Sequence, residues 1–434
     1  MLLSPATATS RAAEGRSAAA AALGGRASDG QAGPSLPAIR GVFGSPSTFA
    51  THAQFATFGF AWGPPDGALG AIPASNGTYT FFAAAGSACS VPSGSEGAFS
   101  FIGTLDHLTG GDGCRKLFGP GDGPPGWVFD KDYAGGGQVV RFAAGGKSGW
   151  LMPVHGEIHW PNPSTSDHLC AGAACFYFSL GLAVSTDNGK TWRLVGQILQ
   201  PSEPLSTFEG TGTDMPGGYG SLIVADANGQ HLDNPPSDPT NAYFYLFYSD
   251  IWPAASSGVC AQFACLGVAR APYIDVVNAT LSGNPDQVAT VFHKYDGGSP
   301  DPWTQPATSD TPDESGTAGA YAPLWTDEVA YQAEVLYDAA FNAYLAIYES
   351  GTFGQKFSVR ASSDLIHWSP PIGASYSEPG RVLYQPSLIG ETGDPTIGGP
   401  APRVFVSSSF PAGAWPNWNN SVLETLPLTL SSTP

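Results

Sequence analysis

The sequence predicts an all-β protein, a five-bladed β-propeller with four antiparallel strands in each blade. Glycine (56) and proline (39) make up about a fifth of the 434 residues and are scattered between short apolar runs, which is typical of a chain with many strands and turns. One strand pattern recurs five times. A β-sandwich or jelly roll would not require these recurrences, and no long stretch carries the helical period of a parallel α/β barrel.

The repeated pattern is a turn signal followed by a short aromatic or β-branched run. Its five copies contain the anchor residues Tyr79, Trp150, Tyr243, Tyr344 and Val404. Their uneven spacing suits four-stranded blades joined by loops of different lengths. We therefore assign residues 39–434 to a single propeller domain. Residues 1–38 are rich in Ala, Gly, Ser and Arg, and we interpret them as a disordered leader or linker.

Composition restricts the partners of this chain. Lys and Arg total 17 against 36 for Asp and Glu, a formal net charge of −19, and no basic stripe exists that could neutralise phosphates. Beyond residue 40 no run approaches the roughly 18 to 20 apolar residues of a membrane helix. We expect no nucleic acid and no membrane as partners, a monomer, and a ligand that is neutral or basic.

The six cysteines fall into three local pairs. Cys170 and Cys175, like Cys260 and Cys265, each enclose four residues, and the remaining two are Cys89 and Cys114. Three disulfides are the simplest interpretation, and they indicate an oxidising compartment and secretion, with the periplasm as a further possibility. A zinc site is the alternative, because His168 lies two residues before Cys170.

Two turns carry the motifs that are most specific. The segment from Ser185 to Trp192 reads Ser-Thr-Asp-Asn-Gly-Lys-Thr-Trp, and the segment from Ser362 to Trp368 reads Ser-Ser-Asp-Leu-Ile-His-Trp. In the first, Asp187 can accept backbone hydrogen bonds inside a hairpin turn and the tryptophan can pack between blades. We therefore assign Asp187 a structural role.

These turns carry a family resemblance. The first turn matches the Asp box of sialidase-type propellers, and the second resembles a hairpin of five-bladed propeller glycosidases of the arabinanase, xylosidase and invertase type. The resemblance extends over roughly residues 120 to 430. It implies a glycosidase that uses two Asp and one Glu from different blades, with the second Asp tuning the acid.

Candidate carboxylates are placed where innermost strands begin. Asp66, ahead of the first blade, is the candidate base, although Asp66-Gly67 also reads as a simple turn. Asp130 and Asp132 open the second blade and share one face of an extended segment, so each can tune the other. Of these two residues, Asp132 is the catalytic candidate. The alternative is that neither has a catalytic role and that Lys131 and solvent neutralise the charges of both.

The run His155-Gly-Glu157-Ile-His159-Trp160 is the most suggestive one in the chain. Alternation places His155, Glu157 and His159 on one face of a strand. We interpret Glu157 as a general acid, the two histidines as sugar contacts and Trp160 as a stacking platform. A His/Glu/His metal site and a purely structural strand end remain alternatives, and we expect no metal.

A glycine-rich loop ahead of the third blade supplies further candidates. Glu209-Gly210 resembles the acid motif of the arabinanase-like families without its proline, which makes Glu209 a rival to Glu157, and Tyr219 is a candidate substrate contact. Asp327, Glu328 and Glu334 form a second tier in blade four. The motifs of serine hydrolases, nucleotide-binding proteins and zinc proteases are absent, and we expect no cofactor.

The sequence thus predicts a secreted glycoside hydrolase that acts on a polysaccharide or oligosaccharide by carboxylate acid/base catalysis in the axial pocket. The alternative is a non-catalytic propeller that binds carbohydrate or protein through aromatic residues such as Trp62, Trp160 and Trp325.

Overall fold

Five antiparallel sheets surround a common axis in the computed structural model of the chain, which confirms the predicted five-bladed β-propeller. The structure describes residues 38–60, 66–85, 89, 96–109, 114–166, 168, 170, 175–212, 217–251, 260, 264–309, 311–351, 354–412, 415–417 and 420–432. Most of the predicted leader, and Trp62, lie outside these residues.

The strands are numbered along the chain. Two precede the first blade: β1 (Ile39–Phe43) and β2 (Ser47–Thr51). Blade I contains β3 (Gly70–Pro73), β4 (Tyr79–Ala85), β5 (Gly97–Gly103) and β6 (Arg115–Phe118). Blade II contains β7 (Tyr133–Gly136), β8 (Val140–Ala144), β9 (Lys147–Trp160), β10 (Cys175–Ser185) and β11 (Arg193–Leu199). Blade III contains β12 (Ser221–Asp226), β13 (Ala242–Ile251), β14 (Ala264–Pro272), β15 (His293–Lys294) and β16 (Gln305–Pro306).

Blades IV and V interlock along the chain. Blade IV contains β17 (Tyr331–Asp338), β18 (Ala343–Ser350), β19 (Lys356–Ser362) and β21 (Ile397–Gly398). Blade V contains β20 (Val382–Ile389), β22 (Arg403–Ser409), β25 (Val422–Ser432), β1 and β2, and β23 (Pro411–Ala412) pairs with β24 (Trp415–Pro416). In every blade the anchor residue of the repeated pattern lies in the second strand outward from the axis.

Helices are short and few in the described part of the chain. They are α1 (His52–Ala56), α2 (Tyr273–Ser282) and α3 (Pro285–Ala289), together with three single 3₁₀ turns at Ser75–Gly77, Leu205–Thr207 and Pro239–Asn241. No helix among the described residues has the length and apolar character needed to cross a membrane.

The two ends of the described chain close the ring. Strand β25 pairs along its length with β1 and β2, so that the last blade is completed by the first strands. Phe49 of β2 then packs edge-on against Phe81 of blade I and Phe405 of blade V, with ring centroids 5.5 and 5.4 Å away. Apolar contact between blades V and I therefore depends on this closure.

The innermost strands present an edge to the axis that is unpaired except where β21 covers the end of β17, and polar side chains bond to it. Leu222 donates its backbone N–H to Oε1 of Gln138 at 2.6 Å, while Nε2 of Gln138 donates to the carbonyl of Val335 at 3.1 Å. Val335 in turn donates its N–H to Oγ of Ser221 at 3.0 Å. These bonds join blades II, III and IV.

A buried carboxyl continues the connection on the other side of the axis. Glu334 of β17 accepts the N–H of Leu388 at 3.1 Å, and Oγ of Ser387 accepts the N–H of Leu69 at 2.8 Å. Burial raises the pKa of Glu334 to about 8, although hydrogen bonds from Ser387 and Leu388 oppose the rise. Glu334 thus joins blade IV to blade V, and Ser387 joins blade V to blade I.

The two motif turns follow the third strands of blades II and IV and contain similar hydrogen bonds. In the second turn Oγ of Ser362 accepts the N–H of Leu365 and Asp364 accepts the N–H of His367. In the first turn Oγ of Ser185 accepts the N–H of Gly189, and Asp187 accepts both the N–H and the hydroxyl of Thr191, at 2.8 and 2.6 Å. Trp192 then packs edge-on against Phe82 of blade I, with centroids 5.4 Å apart. Asp187 therefore has a structural role away from the axis.

All three predicted disulfides are present: Cys89–Cys114, Cys170–Cys175 and Cys260–Cys265. Cys89–Cys114 lies in blade I, where Cys89 precedes β5 and Cys114 precedes β6. The other two disulfides lie where the third strands of blades II and III begin. Because every cysteine is consumed by a disulfide, the alternative of a zinc site with cysteine ligands is wrong.

Close backbone contact between blades I and II gives a test of the axial packing. A Cβ on Gly137 would lie 2.1 Å from the carbonyl oxygen of Ala68, whereas a Cβ on Gly399 would meet nothing within 4 Å. We expect Gly137→Ala to lower the free energy of unfolding by about 3 kcal/mol, because backbone cannot yield as a side chain can. Denaturant titrations should show Gly399→Ala close to the unmodified protein, and equal stability of both variants would contradict this packing.

Candidate active site

All five blades contribute to one group of polar side chains at the face of the propeller where the innermost strands begin and the second strands end. The group comprises residues ahead of or within the innermost strands (Asp66, Tyr133, Tyr219, Gln332, Tyr384 and Gln385) and residues at the end of β9 (His155, Glu157 and His159). Five of the eight residues predicted from the sequence are in it.

Asp66 lies at the centre of this group. Its Oδ2 accepts a hydrogen bond from the Tyr133 hydroxyl at 3.3 Å and its Oδ1 accepts one from Nε2 of Gln385 at 3.4 Å. The hydroxyl of Tyr219 donates to the backbone carbonyl of Asp66, and the Tyr133 and Tyr219 hydroxyls are 2.7 Å apart. Residues of blades II and V therefore hold the carboxyl of Asp66, and a residue of blade III holds its backbone.

Gly67 permits this arrangement. Its φ of 146° is a conformation that side chains disfavour, and a Cβ on it would lie 2.4 Å from the ring of Tyr219. The Asp66-Gly67 pair is thus a turn, as the simpler interpretation of the sequence had it, and the turn delivers the carboxyl to the axis.

Glu157 is held by both neighbouring histidines. Its Oε1 is 2.8 Å from Nε2 of His155 and its Oε2 is 2.5 Å from Nε2 of His159. The His155 ring is stacked between Tyr219, at a centroid distance of 4.7 Å, and Phe178, at 5.9 Å. The Glu157 side chain is 17% exposed and that of His159 is 30% exposed, so this side of the group faces solvent.

The two carboxyls have opposite electrostatic surroundings. Burial, and then the charge of Glu157, raise the pKa of Asp66 to about 7, against smaller opposing effects from His155 and Tyr133. Burial would also raise the pKa of Glu157, but the hydrogen bonds and charges of His155 and His159 lower it to about 2. At neutral pH Asp66 therefore retains a proton for much of the time while Glu157 is ionised.

Glu96, which immediately precedes β5, also belongs to this neighbourhood. Burial and the charge of Glu157 raise its pKa, and the charge of His159 lowers it. Asp132 lies at the edge of the group, where its Oδ2 accepts the backbone N–H of His159 at 2.8 Å. Asp130 is buried elsewhere and accepts the N–H of Gly123 at 2.7 Å, so it braces the loop ahead of blade II.

Two predicted residues have other surroundings. Glu209 is exposed and follows the 3₁₀ turn Leu205–Thr207, with its N–H bonded to the carbonyl of Leu205. Trp160 is only 6% exposed and its Nε1 donates to the carbonyl of Thr211 at 2.7 Å. It alternates with Glu157 along β9 and therefore lies on the opposite face of the strand, which leaves no open ring face there for a sugar.

The residues near the two carboxyls that were not predicted from the sequence are Tyr133, Glu96, Gln332, Tyr384 and Gln385. Tyr133 follows Asp132 directly and could have been included as the first residue of an innermost strand. Glu96 and Gln385 carry no local motif, because their relation to Asp66 and Glu157 arises only when the blades assemble. The second-tier residues Asp327 and Glu328 pair with Arg360 instead.

No group of three or more His, Cys, Asp and Glu side chains arranged to hold a metal ion occurs among the residues that the structure describes. The His/Glu/His metal alternative therefore gains no support, since both oxygens of Glu157 are hydrogen-bonded to the imidazoles themselves.

Comparisons with known proteins give structural matches alone. No protein-family profile and no curated protein sequence matches the chain. Among solved structures, the catalytic domain of the Coprinopsis cinerea GH62 α-L-arabinofuranosidase matches with 13% identity and a TM-score of 0.44, over 91% of this chain and 98% of its own. The family 117 glycoside hydrolase Zg3597 of Zobellia galactanivorans matches with 9% identity and a TM-score of 0.44, over 91% and 92%. The endo-1,5-α-L-arabinanase of Thermotoga petrophila matches with 12% identity and a TM-score of 0.41, over 86% and 75%.

The hydrogen bond between Glu157 and His159 can be tested by NMR. Burial lowers the pKa of His159, but the hydrogen bond and charge of Glu157 outweigh it, so that the pKa is above its ordinary value of 6.5. We expect Glu157→Gln to lower the pKa of His159, because the carboxylate charge is lost. Histidine titration by ¹H–¹³C spectra measures this, with the exposed His367 as an internal control. An unchanged pKa of His159 would mean that the two side chains do not interact.

Proposed function

We propose that the protein is a glycoside hydrolase in which Asp66 is the general acid and Glu157 is the ionised carboxylate. The observation that carries the proposal is that one group of residues holds two carboxyls in opposite surroundings, Asp66 beneath the Tyr133 hydroxyl and Glu157 between two imidazoles. These surroundings raise the pKa of Asp66 and lower that of Glu157. Glycoside hydrolysis needs one protonated and one ionised carboxyl across the scissile bond. Environments that separate the pKa values of two carboxyls indicate which is which.

These roles are the reverse of those expected from the sequence, where Asp66 was the candidate base and Glu157 the acid. The physical reason is local. Asp66 is half-buried beside two tyrosines and near a second negative charge, whereas Glu157 is bonded to two imidazoles. In the proposed reaction Asp66 gives its proton to the departing glycosidic oxygen as the bond to the anomeric carbon breaks, and Glu157 stabilises the positive charge that develops at that carbon. Water then adds to the anomeric carbon and gives a proton back to the Asp66 carboxylate.

The surroundings favour a sugar without negative charge. The charges with the largest effects on the pKa values of Asp66 and Glu157 are those of Glu157 itself, Glu96 and the two histidines, and none of these groups is a Lys or Arg. A uronic or sialic acid would meet repulsion here. We propose a neutral polysaccharide or oligosaccharide as substrate, and the three disulfides support secretion.

The alternative of a purely binding propeller is less well supported. It relied on Trp62, Trp160 and Trp325 as a contact surface. Trp160 and Trp325 are 6% and 7% exposed, and the guanidinium of Arg360 lies 4.8 Å from the centre of the Trp325 ring. Neither ring therefore offers the open face that stacking on a sugar requires.

Substitution of Asp66, Glu157 and Glu209 in turn shows which of these three carboxyls the reaction needs. We expect Asp66→Asn and Glu157→Gln each to lower kcat about 10³-fold or more, because each removes a group that acts in the transition state. Reducing-sugar release from a panel of neutral plant and microbial polysaccharides is the assay. Glu209→Gln is the matched control and should retain activity. Inactivity of Glu209→Gln with an active Asp66→Asn would transfer the acid role to the rival residue.

The pH profile tests the assignment of the acid. Because Asp66 must be protonated, kcat/KM should be level below pH 7 and fall about tenfold per pH unit above it. The hydrogen bond from Tyr133 lowers the pKa of Asp66, so Tyr133→Phe should move this fall to higher pH. A profile that rises through pH 7 would instead indicate that the group with this pKa acts as a base.

A further inference from the structure

Two innermost strands contain a β-bulge at equivalent positions. The register of β17 against β18 shifts between Tyr331 and Glu334, and that of β20 against β22 shifts between Tyr384 and Ser387. Each bulge holds a glutamine in the left-handed region, Gln332 with φ 46° and Gln385 with φ 53°. Non-glycine residues rarely adopt this conformation, and bulges beside active sites serve to redirect side chains.

Gln385 is fixed at both ends. Its backbone N–H donates to Oε1 of the buried Glu349 at 2.7 Å, and the other oxygen of Glu349 accepts the N–H of Gly354 at 3.4 Å. Its Nε2 donates to Oδ1 of Asp66 at 3.4 Å. The side chain is also hydrogen-bonded to Tyr384, and the residue is 4% exposed. The strained backbone of Gln385 is thus held in place by the carboxyl of Glu349.

We propose that Gln385 is a positioning residue for the reaction, and that the bulge exists to bring its amide to the carboxyl of Asp66. The inference rests on the proposed function. Tyr133 donates to one oxygen of Asp66 and Gln385 to the other. Two donors on the two oxygens fix the plane of the carboxyl, which general acid catalysis requires because the proton must point at the leaving oxygen.

Gln332 provides the comparison within the same chain. It has the same backbone conformation in the neighbouring blade, and its side chain is hydrogen-bonded to Tyr384. No hydrogen bond joins it to Asp66 among the described residues. Substitution of either glutamine should therefore show any effect that comes only from backbone strain or from the bond to Tyr384. Only substitution of Gln385 should change the properties of Asp66.

Gln385→Gly is the decisive variant, because glycine adopts this backbone conformation without strain and removes the side chain. We expect thermal stability that is equal or higher, a fall in kcat on the order of 10²-fold with little change in KM, and a shift of the alkaline fall of kcat/KM to higher pH. The titratable groups around Asp66, namely Glu157, His155, Glu96, Tyr133, Tyr219 and Tyr384, are unchanged in the variant. Gln332→Gly should leave the alkaline fall where it is.

Failure of this inference is distinguishable from failure of the proposed function. If the unmodified protein hydrolyses glycosides and Gln385→Gly keeps its kcat and pH profile, the positioning role is overturned and the function stands. If no glycoside is hydrolysed, the proposed function fails. The positioning role is then tested through the pKa of Asp66, measured by ¹³C NMR of carboxyl-labelled aspartate. The Asp66 signal is assigned as the one that is missing in Asp66→Asn. A higher pKa in Gln385→Gly then supports the contact, and an equal pKa overturns it. Gln385→Asn, which tolerates the left-handed region but is too short to reach Asp66, replaces the glycine variant if that variant does not fold.

Discussion

The inner edges of the innermost strands, which are unpaired except where β21 covers the end of β17, are the constraint on which the rest of this structure depends. Backbone N–H and C=O groups that face the axis are buried and must find partners. Gln138, Ser221, Glu334 and Ser387 supply those partners from the innermost strands or directly beside them. Because each of these side chains belongs to one blade and bonds to another, the order and spacing of the blades are fixed at the axis. The residues of the candidate site, which lie at the ends of the same strands, are fixed with them.

The candidate site uses that fixed spacing to give two similar carboxyls different surroundings. Asp66 is contributed by blade I but contacted by blades II, III and V, so its burial results from assembly of the ring. Glu157 receives its imidazole partners from its own strand, two residues to either side. The first carboxyl is therefore set by tertiary structure and the second by local sequence. Such a division lets one site contain both a proton donor and a permanent negative charge at the same pH.

This division also explains how much could be predicted from the sequence. Repetition of the strand pattern predicted five blades, the cysteine spacing predicted the disulfides, and alternation along one strand placed His155, Glu157 and His159 together. The same alternation puts Trp160 on the other face, a consequence that the notion of an aromatic platform overlooked. Roles could not be predicted, because the pKa of Asp66 depends on groups far away in the sequence, and Gln385 reaches the site only through a bulge that no motif announces.

Closure of the ring has a consequence for how the chain reaches this structure. Ser47 of β2 is hydrogen-bonded to Thr425 of β25, 378 positions later, so the first strands of the described chain are completed by the last. Blades I to IV can pair their strands locally, but the contact between blades V and I has to wait for the final strand. Until then the phenylalanines at that junction are exposed, and the entropy of joining distant segments slows the last step. We infer that the chain is most prone to aggregate before β25 pairs with β1 and β2, a stage at which most of its sheets can form but blade V is not yet complete.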